Sequence, residues 1–152
     1  MIDKNETREP LEVMREISEK LWELDYRITG LPAVNLYGYG IATNVFDIAV
    51  KSDEAVYEAV RLLKLPNPCE KFPGYDPYIF EGENFYIKIQ GDIMGEPFIH
   101  PLGFKLHSKE LLVRRLEIYG KYEPRALKAC AWIALTVDDE KTEKYKEYWN
   151  RL

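Results

Sequence analysis

The run Val45–Val50 reads VFDIAV, apolar at every position except Asp47. A six-residue segment of this kind suits a strand covered on both faces, and such strands sit in sheets flanked by helices. It also carries a problem. A carboxylate is costly to bury unless something pairs with it. Asp47 therefore asks for a partner, which is a metal ion, a loop or an arginine.

The surrounding chain supplies the helices and the rest of a sheet. Val13, Met14, Ile17, Leu21 and Leu24 recur at helical spacing across 10–24, and Pro10 suits the first turn. YRITG at 26–30 reads as a short strand ending at a glycine, and 32–39 as a short helix or turn closed by Gly38 and Gly40. Ser52 or Asp53 caps a helix with Ala55, Val56, Ala59, Val60 and Leu63 on one face. A loop with prolines at 66, 68, 73 and 77 follows. Pro77–Phe80 and Asn84–Gln90 flank a turn, EGEN, as in a β-hairpin. In its second strand Phe85, Ile87 and Ile89 alternate with Tyr86, Lys88 and Gln90. Pro97–His100 is a further short strand. From Ser108 the signal is helical, with Ser108 as a cap, a stop at Gly120, a second helix from Pro124 and a last one bearing Tyr145, Tyr148, Trp149 and Leu152. The reading is α+β: a small mixed β-sheet flanked by helices over 1–107, then a helical C-terminal part over 108–152 packed on it, as one compact domain.

Composition narrows the function classes. The 152 residues carry a net charge of −5, which disfavours generic DNA binding over a whole face. No apolar run is long enough to span a membrane, and the first ten residues lack a signal-peptide core, so a cytoplasmic protein is expected. Abundant Lys, Glu and Tyr hint at a heat-adapted source. Cys69 and Cys130 form no CxxC or Cys/His cluster and are not expected to pair. No GxGxxG, GKS or GKT sequence is present, which removes Rossmann and P-loop readings.

Residues 26–63 nevertheless have a pattern. Ile28, Thr29 and Gly30 precede Ala33, Leu36 and Gly38, then Thr43, Asp47, Ile48 and Val50. This resembles nucleotidyltransferase-fold proteins of the minimal, toxin-like kind. In these, a strand ends at a glycine pair, a short helix follows, and the next strand carries Asp-x-Asp or Asp-x-Glu, with a third carboxylate on a later strand. Two acids at i and i+2 on a strand share one face and can hold Mg²⁺ against phosphates. This sequence departs from the pattern at two places. Leu31 and Pro32 replace the small residues after Gly30, and Val45 stands where the first acid belongs.

The resemblance implies Asp47 and Asp92 as the remaining catalytic and metal-binding acids, with Gln90 better aligned than Asp92 by strand alternation. It implies Gly30, Leu31, Thr43, Arg125 and Lys128 along the nucleotide. Three functions follow. The first is a catalytically degenerate nucleotidyltransferase-like protein (a pseudoenzyme) that binds a nucleotide or a protein partner, as in a toxin–antitoxin or defence system. The second is an active Mg²⁺-dependent transferase, with Glu81 or Glu83 as a further ligand. The third is a non-enzymatic interaction module or homodimer, with Tyr145, Tyr148 and Trp149 as its surface.

Other residues have two readings each. Arg114, Arg115, Arg125 and Lys128 form a phosphate clamp or pair with Glu110, Glu117 and Glu123. Tyr37 and Tyr39 stack on a base or pack at an edge. His100 and His107 are seven apart and sit in loops or at strand ends, where either could serve as a base or ligand.

Overall fold

A computed structural model describes residues 10–40, 43–66, 77–121 and 123–134. Among them are five helices and a six-stranded mixed sheet. The helices are α1 (Pro10–Lys20), α2 (Gly30–Leu36), α3 (Asp53–Leu62), α4 (Lys109–Tyr119) and α5 (Pro124–Ala134). The strands are β1 (Tyr26–Ile28), β2 (Val45–Val50), β3 (Tyr78–Glu81), β4 (Tyr86–Gly91), β5 (Phe98–Ile99) and β6 (Lys105–Leu106). The sheet order is β3-β4-β2-β1-β6-β5. β2 runs antiparallel to β1 and parallel to β4. The α+β class expected from sequence is the class observed.

The apolar run that opened the sequence reading lies at the centre. Register aligns Tyr78, Ile89, Ile48, Ile28, Leu106 and Phe98 in one row across all six strands. The four inner members of that row have no solvent exposure. α3 packs on β2 and β4. Its first turn is fixed by Ser52, whose hydroxyl accepts the Ala55 N–H at 3.2 Å, so of the two candidate caps Ser52 serves. On the other side α2 contacts β2, α4 and α5, and α4 packs along α5. Cys130 is buried in α5, where its thiol donates to the Val113 carbonyl at 3.4 Å.

Local expectations differ from the structure in two places, the start of α2 and the strand before α4, while the stop expected at Gly120 is observed. β1 ends at Ile28 and the helix begins at Gly30 itself, two residues before the expected start. A strand over Lys105–Leu106 is present that periodicity did not reveal, because two residues carry no period. Gly120 ends α4 with φ −57°, an ordinary right-handed value, so its lack of a side chain is not needed for the dihedral. A Cβ there would collide with Leu127 Cδ2, so glycine permits close approach of α5. The helix expected to carry Tyr145, Tyr148 and Trp149, Cys69 and most of the proline-rich loop lie outside the described residues.

Candidate functional site

Beside the apolar row runs a polar one. In register Asp47 faces Lys88. The Thr29 N–H donates to the Asp47 carbonyl at 2.9 Å, and the Thr29 hydroxyl meets His107 Nδ1 at 2.8 Å. Each of these four polar residues adjoins a buried isoleucine or leucine in sequence, namely Ile89, Ile48, Ile28 and Leu106. Strand alternation therefore sends them to the opposite face, toward α2, α4 and α5.

Gly30 sets the geometry at the head of α2. Its φ is +64°, and a Cβ there would lie 2.6 Å from Asp47 Oδ2. Glycine is required twice, once for the left-handed backbone and once for contact with the carboxylate. Thr29 occupies the N-cap position without a side-chain cap, since its hydroxyl is turned to His107.

Asp47 is 6% exposed, and its partners come from distant segments. Gln90 Nε2 donates to Asp47 Oδ1 at 3.2 Å. The Arg115 guanidinium, from the middle of α4, places Nη2 3.6 Å from the same oxygen. Its Nη1 makes a close ion pair with Asp92 Oδ2. One fork thus joins both acids. Asp92 is held just past β4, where its N–H donates to the Val50 carbonyl at 2.8 Å and its Oδ1 accepts the Ile93 N–H at 2.7 Å. The loop beyond is tied down by His107 Nε2, which donates to the Ile93 carbonyl at 2.8 Å, and by buried Arg27, which donates to the Gly95 carbonyl at 2.7 Å.

His107 is 1% exposed, with both ring nitrogens engaged, so it serves as a structural link rather than an accessible base. The donation to Ile93 fixes the Nε2–H tautomer and leaves Nδ1 to accept from Thr29. Burial lowers its pKa from the ordinary value. The Ile93 bond and the Asp92 charge oppose that shift, and the Arg115 and Arg27 charges add to it. A histidine held neutral in the folded state makes the unfolded state the better proton binder below its ordinary pKa of about 6.5. Stability contributed by His107 is therefore complete above that pH and declines as pH falls below it. Urea midpoints measured at about pH 7.5 and pH 5 should differ more in the native chain than in His107→Gln. An equal difference in the two chains would contradict this role.

Two cavities are lined by members of the Asp47–Arg115–Asp92 bridge, one by Asp47 and the other by Asp92 and Arg115. The smaller, about 230 Å³, has Gly30, Leu31 and Pro32 on one side and Thr43, Val45 and Asp47 from the β2 side. Lys88 contributes from β4, and Leu116, Glu123, Arg125 and Ala126 from the helical part. Of the residues expected along a nucleotide, Gly30, Leu31, Thr43 and Arg125 line this cavity together, and exposed Lys128 does not. Val45 and Asp47 face the same space. Arg125 is also paired with Glu123, Nε to Oε1 at 3.1 Å. The Arg125 backbone and side-chain N–H groups hold the Glu123 carboxyl below its usual pKa. The larger cavity, about 430 Å³, is lined by Arg115 itself with Gln90, Asp92, His107, Arg114 and the apolar Ile93, Leu111 and Ile118.

The aromatic residues near the site are engaged in packing. The Tyr37 hydroxyl donates to the His107 carbonyl at 2.8 Å, and its ring lies 5.0 Å from Phe98. Burial raises the Tyr37 pKa. Tyr39 lies 5.3 Å from Trp132. His100 Nδ1 accepts the Leu102 N–H at 3.1 Å and stacks over Phe104.

The donor set decides whether the metal pair implied by the family pattern fits. Such a centre needs several hard oxygens facing one ion. Val45 brings none, and Asp47 and Asp92 each direct an oxygen at a guanidinium. Glu81 and Glu83 line neither cavity. Among the described residues no group of three His, Cys, Asp or Glu side chains converges. The residues present do not fit a paired metal centre. Arg115 and Lys88 were the parts hardest to find from sequence. Lys88 shows only as an alternation partner of Ile87 and Ile89, and Arg115 as one of four basic residues in the helical part.

The sequence matches no family model and no curated protein. Its architecture matches solved structures. The solution structure of the antibiotic-resistance factor ANT(2'')-Ia superposes with a TM-score of 0.60 at 12% identity, over 93% of this chain and 91% of that one. A crystal structure of ANT(2'')-Ia in complex with adenylyl-2''-tobramycin gives 0.58 at 10% identity, over 93% and 97%. A candidate nucleotidyltransferase of Thermotoga maritima gives 0.55 at 16% identity, over 93% of each chain. Among the described residues no helix is long and apolar enough to cross a membrane. With its mixed sheet, its glycine-headed α2 and its C-terminal helices in this arrangement, the chain has the nucleotidyltransferase fold.

Proposed function

We propose that this chain is a catalytically degenerate nucleotidyltransferase-like protein that binds a nucleotide in the cavity at Gly30. The observation that carries the reading is the pairing of Asp47 and Asp92 with Arg115 while Val45 stands on the cavity wall. Phosphoryl and nucleotidyl transfer depend on positioning and charge stabilisation by metal ions, so a site whose acids face an arginine loses most of that chemistry. Binding survives on different grounds. Gly30 lines the cavity at the head of α2, and Lys88 and Arg125 bring positive charge to it beside Asp47 and Glu123. Adenylyl-2''-tobramycin in one of the similar structures supports an adenylate as the first ligand to try.

Calorimetric titration with ATP and the other nucleoside triphosphates, in EDTA and in Mg²⁺, tests this. Binding is expected in both conditions with similar affinity, and Lys88→Ala should weaken it about tenfold, the loss of one charge-assisted contact. Mg²⁺-dependent formation of a nucleotidylated product would replace this reading with the active transferase. Absence of binding by every nucleotide would remove it.

A second reading, docking of a protein partner or a second copy, draws on Ile93 and Ile118. Both are more than 60% exposed beside the larger cavity. Exposed apolar residues that cluster mark interaction surfaces more often than single ones do.

A further inference from the structure

We infer that Arg115 is an internal substitute for a metal ion: its guanidinium holds Asp47 and Asp92 together in the role that a shared divalent cation would fill. The inference deepens the proposed function and rests on its assignment of these two acids to the site. It does not depend on nucleotide binding.

The geometry supports it in three ways. The two ends of one guanidinium reach two different carboxylates, Nη2 toward Asp47 and Nη1 to Asp92, which is the bridging task of a shared cation. The side chain is delivered by a rigid element. Ser108 caps α4 by accepting the Leu111 N–H, buried Leu112, Val113 and Leu116 seat the helix, and the Arg115 side chain is 13% exposed while Arg114 is exposed. Charge fits as well: one guanidinium offsets one of the two carboxylates, and Lys88, the register partner of Asp47, lines the same cavity as that acid. Arginine suits the task because its planar fork presents several N–H donors in a fixed geometry that matches carboxylates. Unlike an ion it does not dissociate, and it leaves no open coordination position for a phosphate oxygen. The consequence is a site for the nucleotide as a free anion, not as its metal complex.

The test uses Mn²⁺ alone on the full chain, followed by electron paramagnetic resonance and by thermal unfolding. The native chain is expected to bind no stoichiometric Mn²⁺ at the site. Arg115→Met frees both carboxylates and should raise Mn²⁺ affinity at least about tenfold, since affinity follows the charge and number of available oxygens. Mn²⁺ should also raise the melting temperature of Arg115→Met and not that of Arg115→Lys, which keeps the positive charge. Val45→Asp alone should gain little, and Val45→Asp with Arg115→Met should bind tightest. Asp47→Asn added to Arg115→Met should abolish the gain. If Arg115→Met is unfolded in buffer, Mn²⁺ should restore its folding. Three results overturn the inference: native chain and Arg115→Met binding Mn²⁺ equally, Val45→Asp alone binding as tightly as the double variant, or Arg115→Met showing neither Mn²⁺ binding nor Mn²⁺-dependent stabilisation. Each of them leaves calorimetric nucleotide binding to stand or fall separately.

Discussion

Gly30→Ala is expected to destabilise the protein by about 3 kcal/mol, with two separable causes. The backbone at Gly30 has φ +64°, where an L-residue is strained by about 1–2 kcal/mol. The new methyl would also stand 2.6 Å from Asp47 Oδ2, far inside contact distance. That oxygen is not at the end of a mobile surface chain. It belongs to a buried carboxylate held by Gln90 and Arg115, so relief requires shifting α2 or breaking the ion pair. Overpacking of this kind adds about 1–3 kcal/mol. Urea denaturation measures the sum, and a double-mutant cycle separates its parts. In an Asp47→Ala background only the Cβ of residue 47 stays beside the methyl, at 3.5 Å, an ordinary contact, and the cost of Gly30→Ala should fall to the backbone strain alone, about 1–2 kcal/mol. A loss below 1 kcal/mol in the native background would mean that the head of α2 is not held as described.

The second large effect concerns Arg115. Replacing it by methionine keeps most of the apolar stem and removes the charge between two acids. Breaking a buried ion pair from one side costs about 3–5 kcal/mol, because the opposite charge is left without compensation. Here Asp47 is 9% and Asp92 29% exposed at the side chain, so water screens the second acid in part and the lower end, about 3 kcal/mol, is expected. The companion variant separates charge from packing. Asp47→Asn and Asp92→Asn together with Arg115→Met should recover most of the loss, since a neutral trio has nothing left unpaired. If the triple variant is as unstable as the single one, Arg115 acts through packing of its stem and not as the counter-charge. Chemical denaturation near neutral pH reads both.

The way these two residues depend on Asp47 explains which parts of the site could be read in advance. Wherever the information is local, sequence carried it. The apolar run Val45–Val50 specified a strand covered on both faces, Ser52 or Asp53 and Ser108 marked two helix starts, and alternation in Phe85–Gln90 specified which residues of β4 face the core. Gly30, Thr43 and Asp47 could be brought together on paper because a strand, a turn and a short helix separate them. Arg115 could not. Within its own helix it has nearby acids, Glu110 and Glu117, and by spacing alone these compete as partners. It joins Asp47 and Asp92 because α4, seated against α2 and α5, presents it to both acids, a fact about packing between segments far apart in the chain. His107 illustrates the same limit. A histidine between Leu106 and Ser108 gives no sign of burial until β6 pairs in parallel with β1 and carries it beneath Thr29.

The chain's sequence by itself determined the class of fold, the central strand with its single acid, and a glycine at the end of the first strand, because each follows from side-chain period, backbone restriction and turn chemistry over a few residues. Tertiary structure alone decided the strand order, the polar row through Lys88, Asp47, Thr29 and His107, and the arginine that answers Asp47. The physical reason is that a buried charge can be satisfied by any cation the fold brings within reach, and only register and helix placement select which one arrives.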